Sequence, residues 1–112
     1  MQYAMLIHAA PGYTDALSED EQKAIFADYV ALGEDPRARS GAQLQSIETA
    51  TTVRVQEGQT LTTDGPFADT KEVLVGYYVF EADNLDDAIE LAARIPAARL
   101  GGAIEVRPLV ER

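Results

Sequence analysis

Cysteine is absent from this 112-residue chain, and so is tryptophan. Without a thiol there is no disulfide, no thiolate nucleophile and no cysteine redox chemistry. Histidine occurs once, as His8, which excludes the usual multi-histidine metal sites within one chain. Basic residues are scarce too: nine Lys and Arg stand against nineteen Asp and Glu, a formal net charge of −10. Such a chain lacks the cationic footprint that nucleic acid requires, and anionic membrane surfaces repel it. The charge serves solubility. No apolar run nears the roughly 20 residues of a membrane span. The opening "MQYAMLIHAAPGY" has no basic n-region and only a short, mixed apolar stretch, so it does not read as a secretory signal. The expectation is a cytoplasmic protein without a metal or cofactor, with neither nucleic acid nor membrane as a partner.

What is present suffices for one domain, residues 1–112, with an ordinary apolar fraction of 46%. A chain of this length buries roughly two-thirds of its unfolded surface and needs no staple. "QYAMLIHAA" is a strand whose two faces, Tyr3, Met5, Ile7 and Gln2, Ala4, Leu6, His8, are both largely apolar. "APGY" breaks it. "LSEDEQKAIFADYVALGEDP" is a helix. Ser18 and Glu21 have capping-box spacing, Ile25, Phe26, Tyr29, Val30 and Leu32 give an apolar side, and Gly33 is a C-terminal stop. "TTVRVQ" and "TLTT" form a ribbon about a Glu57-Gly58 turn, one face of it polar. "EVLVGYYVFEA" is the strongest strand: strict alternation sets Val73, Val75, Tyr77 and Val79 against Leu74, Gly76, Tyr78 and Phe80. A second helix, "DNLDDAIELAARIP", is capped by Asp83 or Asn84 and stopped by Pro96. "AIEVRPLV" closes the chain as an outer strand.

The resulting order is β-α-β-β-α-β with an added ribbon, an α+β fold. Two helices cover one face of a four-stranded sheet. Strands that are apolar on both sides then need a lid, and the simplest is the same face of a second copy in a two-fold homodimer. A groove for a small molecule between the two sheets is the natural by-product.

One stretch, "TTDGPFADTKE", carries a resemblance. With "ATTVRV", "GYYVFEA", "LDDAIELAARIPAA" and "GAIEVRP" in order around it, the chain resembles the DGPF family of YCII-related proteins nearly end to end. The resemblance implies a ferredoxin-like fold that dimerises through its sheets as a dimeric α/β-barrel. It also implies a gene neighbourhood that often includes an extracytoplasmic-function sigma factor. Related YCII-type domains include presumed enzymes, one branch being credited with dehydrochlorinating a hydroxylated ring. The chain departs from the pattern in a short segment before "QLQS". His8 does not sit in the motif of the histidine–aspartate pair of the YCII branch, and that pair is not carried over.

The loop itself has two readings. As architecture, Asp64-Gly65-Pro66 is a turn, Phe67 an anchor, and Asp69 with Glu72 the cap of a short helical turn. As chemistry, a desolvated Asp64 is a general acid or base and Lys71 holds an anionic or enolate-like oxygen. His8 is either a packing residue or a proton shuttle. Tyr77 and Tyr78 point to opposite faces, so one looks toward the groove; Tyr78, Arg54 and Phe67 are candidate substrate contacts, with Arg54 suited to a carboxylate. The functional expectation is a cofactor-independent enzyme doing acid–base chemistry on a small molecule in a groove of the dimer. The alternative is a non-catalytic ligand-binding or regulatory module tied to a sigma factor.

Overall fold

The computed structural model describes residues 1–112. Strand β1 (Gln2–Ala9) alternates as its sequence does: Tyr3, Met5, Ile7 and Ala9 are buried, and the residues between them are half-buried. Helix α1 (Glu19–Gly33) begins with the expected reciprocal cap. The Glu21 N–H donates to Ser18 Oγ and the Ser18 N–H donates to Glu21 Oε1, each at 3.1 Å. Then come β2 (Ala38–Gln43), β3 (Thr51–Gln56), β4 (Gln59–Asp64), β5 (Val73–Glu81), α2 (Leu85–Ala93) and β6 (Ala103–Pro108). Asn84 caps α2, its Oδ1 accepting the Asp87 N–H at 2.9 Å.

Four strands form one antiparallel sheet in the order β2-β5-β1-β6. Two helices and this sheet make an α+β fold compatible with the ferredoxin-like arrangement. The hairpin β3–β4 is a separate two-stranded sheet. Its two-residue turn has Glu57 at φ 50° and Gly58 at φ 77°, the positive pair that a tight hairpin needs.

The core lies between one sheet face and the helices. Tyr3, Met5, Ile7 and Phe80 meet Leu32 of α1, Ala88, Leu91 and Ala92 of α2, and Ile95. Each large side chain among them contributes about 1.5–3 kcal/mol of transfer free energy. The opposite face carries Ala4, Leu6, Leu74, Tyr77, Val79 and Ala103, and no element of the chain packs over it. The molecule is a slab of 44 × 42 × 20 Å with a radius of gyration of 15.9 Å. A compact chain of this length has about 13 Å; the β3–β4 hairpin pairs with itself and stands apart from the four-stranded sheet.

Several local expectations are corrected. Strand β2, "ARSGAQ", is the fourth sheet strand that the β-α-β-β-α-β order requires, and its sequence does not mark it: it has no β-branched or aromatic residue and is held by its pairing with β5. Strict alternation fails in β5, because a bulge sets His8 opposite Leu74 but Ile7 opposite Gly76. Val75 is the extra residue, so Val73 joins Phe80 on the helix side. Gly33 closes α1 with ordinary helical geometry rather than a left-handed one, and Glu34 (φ −91°) is the cap. On α1 only Leu32 is buried, while Phe26 is 66% exposed.

Candidate functional site

The "DGPF" loop starts where β4 ends. Asp64 pairs with Thr51 across the hairpin. Gly65 takes φ 105°, its N–H donating to the Ala50 carbonyl at 2.8 Å while its own carbonyl accepts the Thr52 hydroxyl at 2.8 Å. These bonds stitch the loop to the base of the hairpin, so Gly65 serves the turn. Phe67 is 76% exposed, with the Arg54 guanidinium carbon 5.1 Å from its ring centroid, a cation–π contact. No helical turn forms at Asp69; the Thr70 hydroxyl donates to the Glu72 carbonyl instead. Asp64, Lys71 and Glu72 are exposed and take part in no ion pair within the chain.

His8 faces the open side of the sheet. Its Nε2 lies 3.2 Å from Glu105 Oε1, a diagonal neighbour across β1 and β6. No hydrogen bond or ion pair joins His8 to Asp64 or Lys71, and Arg54 and Phe67 are the two sequence candidates that touch. No group of three or more His, Asp or Glu side chains stands close enough to hold a metal ion.

A concave feature of the chain lies elsewhere. A cavity of about 530 Å³ opens between α1, the turn at 10–14, the segment 41–47 and β5. That volume falls within the range of small-molecule sites, about 300–1,000 Å³. Of the candidates read from the sequence, Tyr78 lines it, and Asp64, Lys71, His8, Arg54 and Phe67 do not. Tyr78 stands on the helix side of β5, and its hydroxyl donates to the Tyr29 carbonyl at 2.7 Å, tying strand to helix. Its ring stacks against that of Tyr29 with centroids 6.5 Å apart.

Two residues that sequence reasoning passed over give the cavity its chemistry. Tyr13, from the turn after β1, and Tyr29, from the middle of α1, place their hydroxyl oxygens 2.7 Å apart. Burial pushes the Tyr29 phenol far above its ordinary value, and the Tyr13 hydroxyl beside it adds to the effect. Burial also raises Tyr78. Such phenols keep their protons at neutral pH, so they donate and do not act as bases. Tyr29 had been legible only as part of an apolar helix face. The available signal was its hydroxyl, which needs a partner when a tyrosine is drawn inward.

Residues 1–112 match the YCII-related domain family. An uncharacterised protein of Rhizobium meliloti (strain 1021) is 35% identical to the chain over 114 aligned residues, which span 97% of this chain and 92% of that protein. With the family matched from end to end, the chain belongs to the YCII-related domain family.

Proposed function

We propose that this protein binds a small organic molecule in the cavity between α1 and β5 and acts on it by acid–base chemistry, without a cofactor, as a homodimer. The observation that carries the reading is the Tyr13–Tyr29 hydroxyl pair, set into a largely apolar hollow of about 530 Å³. A phenol held protonated there donates a hydrogen bond to an oxygen of the ligand and polarises it. The apolar open face of the sheet supports the dimer: Leu6, Leu74, Tyr77 and Val79 have no cover in one chain, and sheets stack about 10 Å apart face to face. In this reading His8, on the sheet face away from the cavity and beside Glu105, serves the interface between the copies and not the chemistry in the cavity. Asp64 and Lys71 are an acid–base pair, with Arg54 and Phe67 as substrate contacts, carried on the β3–β4 hairpin and on the loop that leads from it into β5 beside the cavity.

A thermal-shift screen of small organic compounds, followed by turnover assays on the hits, tests this. Hits should lose binding in Ile25→Trp, which fills the cavity from the α1 side, and turnover should fall at least about tenfold in Tyr29→Phe. Hits that bind Ile25→Trp as well as the parent protein would rule the cavity out as the ligand site. Turnover indifferent to Tyr29→Phe would remove the phenol from the chemistry.

A further inference from the structure

A quarter of this chain is charged, yet none of the 22 residues lining the cavity is Asp, Glu, Lys, Arg or His. Ile7, Ile25, Phe26, Ile47, Val73 and Val75 supply its apolar wall. Its polar groups are neutral, and several are already committed. Gln22 spends its amide protons on the Thr14 carbonyl at 3.1 Å and the Leu17 carbonyl at 3.2 Å, which leaves Oε1 as an acceptor. Tyr78 spends its proton on the Tyr29 carbonyl. Tyr13 and Tyr29 share one proton between them, so whichever of them donates, the other's proton is left for a ligand. Thr14, Gln43, Gln45 and Ser46 complete the polar lining, all of them uncharged, and Ser46 Oγ already accepts the Glu48 N–H.

An anion entering this hollow would shed part of its hydration and find no cation to replace it. The net charge of −10 adds long-range repulsion. A neutral ligand meets neither obstacle: its body covers the apolar wall and one of its oxygens accepts the spare phenolic proton. Resting on the reading of this cavity as the ligand site, we infer that the site selects uncharged, mainly apolar molecules bearing an oxygen acceptor of the ketone, ester or amide class, and rejects carboxylates and phosphates of the same shape. The tyrosine pair is the element that reads the acceptor.

Three probes of similar size separate the terms: acetophenone (neutral, with an acceptor), benzoate (charged) and ethylbenzene (neutral, without an acceptor). Each is titrated into the ¹⁵N-labelled full chain at pH 7, and Kd is taken from amide shifts of the cavity residues. The inference expects acetophenone to bind at least tenfold more tightly than benzoate, and several-fold more tightly than ethylbenzene. In the double variant Tyr13→Phe/Tyr29→Phe, which keeps both rings, the preference over ethylbenzene should vanish and the rejection of benzoate should persist. Benzoate binding as tightly as acetophenone would overturn the inference while leaving the cavity as the site. Acetophenone shifts that are unchanged in Ile25→Trp, or absent from the cavity altogether, would overturn the site reading itself. A double variant that keeps the preference for acetophenone over ethylbenzene would take the tyrosine pair out of the recognition.

Discussion

Replacing Gly41 by alanine separates two forces that pull in opposite directions. Gly41 sits in the edge strand β2, paired with Tyr78 of β5. In an open strand the substitution is favourable by about 0.5–1 kcal/mol, because alanine has less backbone entropy to lose. Here the Tyr78 ring lies across the glycine on its way to α1. A Cβ at position 41 would stand 2.8 Å from Tyr78 Cδ1, 3.0 Å from the Tyr77 carbonyl oxygen and 3.3 Å from Tyr78 Cε1. The carbonyl belongs to the sheet and has little freedom; the ring is stacked on Tyr29 and its hydroxyl is bonded to the Tyr29 carbonyl. Overpacking of this kind costs about 1–3 kcal/mol, and displacement of the ring forfeits a hydrogen bond worth about 0.5–1.5 kcal/mol.

The packing terms win, and Gly41→Ala should be destabilised by about 1–3 kcal/mol net. For a domain of this length that is a fall in melting temperature of roughly 4–12 °C, read by circular dichroism. Gly41 and Tyr78 also line the cavity, so ligand affinity should fall with stability. In a Tyr78→Leu background the ring is gone and the penalty should shrink, leaving the clash with the Tyr77 carbonyl. A Gly41→Ala protein that melts at or above the parent temperature would refute the reasoning, since it would mean that the ring and the strand yield without cost.

Other consequences are open to measurement. Leu6→Glu, in the middle of the open face, should convert a dimer to a monomer in sedimentation equilibrium with little change in far-ultraviolet circular dichroism; an unchanged mass would end the sheet-to-sheet dimer. The Arg37 guanidinium, bonded side-on to Asp35, holds that carboxyl down to about 2 from 3.8. A depressed carboxyl pKa adds stability that is full above pH about 4 and is lost as the pH falls toward 2. Asp35→Asn should therefore lower the urea midpoint at pH 6, with the gap from the parent closing by pH about 2; a gap constant over that range would count against the pair. Ser18→Ala removes the acceptor at the start of α1 and should cost about 1 kcal/mol in chemical denaturation, against no change if the cap is incidental.

What could be read in advance followed from local rules. The capping box of α1, the Glu57-Gly58 turn and the apolar strands β1 and β5 each declare themselves within a few residues. Strand β2 does not, because "ARSGAQ" has no intrinsic strand preference and exists through its partner. The bulge in β5 is equally silent: it is set by where His8 and Ile7 of β1 fall, more than 60 positions earlier. The cavity was hidden for the same reason. Tyr13 and Tyr29 are 16 positions apart and Tyr78 another 49, and only the packing of α1 against the sheet joins them. The "DGPF" loop drew the eye by its density of turn-formers and charge. Much of that density is used by a backbone conformation, with Gly65 at φ 105° and its N–H and carbonyl both bonded to the base of the hairpin.

The two faces of the sheet can divide the work. Tyr77 and Tyr78 are adjacent in β5, and the pleat sends one toward the open face, opposite Leu6, and the other toward α1, opposite Met5. A second copy laid over Leu6, Tyr77 and Val79 would leave the mouth between α1 and segment 41–47 on the far side of the sheet. Covering the one face and filling the other are then separate events that share a single strand. The bulge at Val75 makes the sharing compatible with a continuous core, because it returns Val73 to the helix side beneath the cavity while Leu74 stays on the open side. Without that extra residue one of the two faces would have to bury the wrong side chain, since a shift of one residue exchanges every side chain between faces. The bulge is therefore a requirement of a strand that serves two apolar surfaces at once, and the charges of this acidic chain are left to the helix exteriors, the loops and the sheet margins.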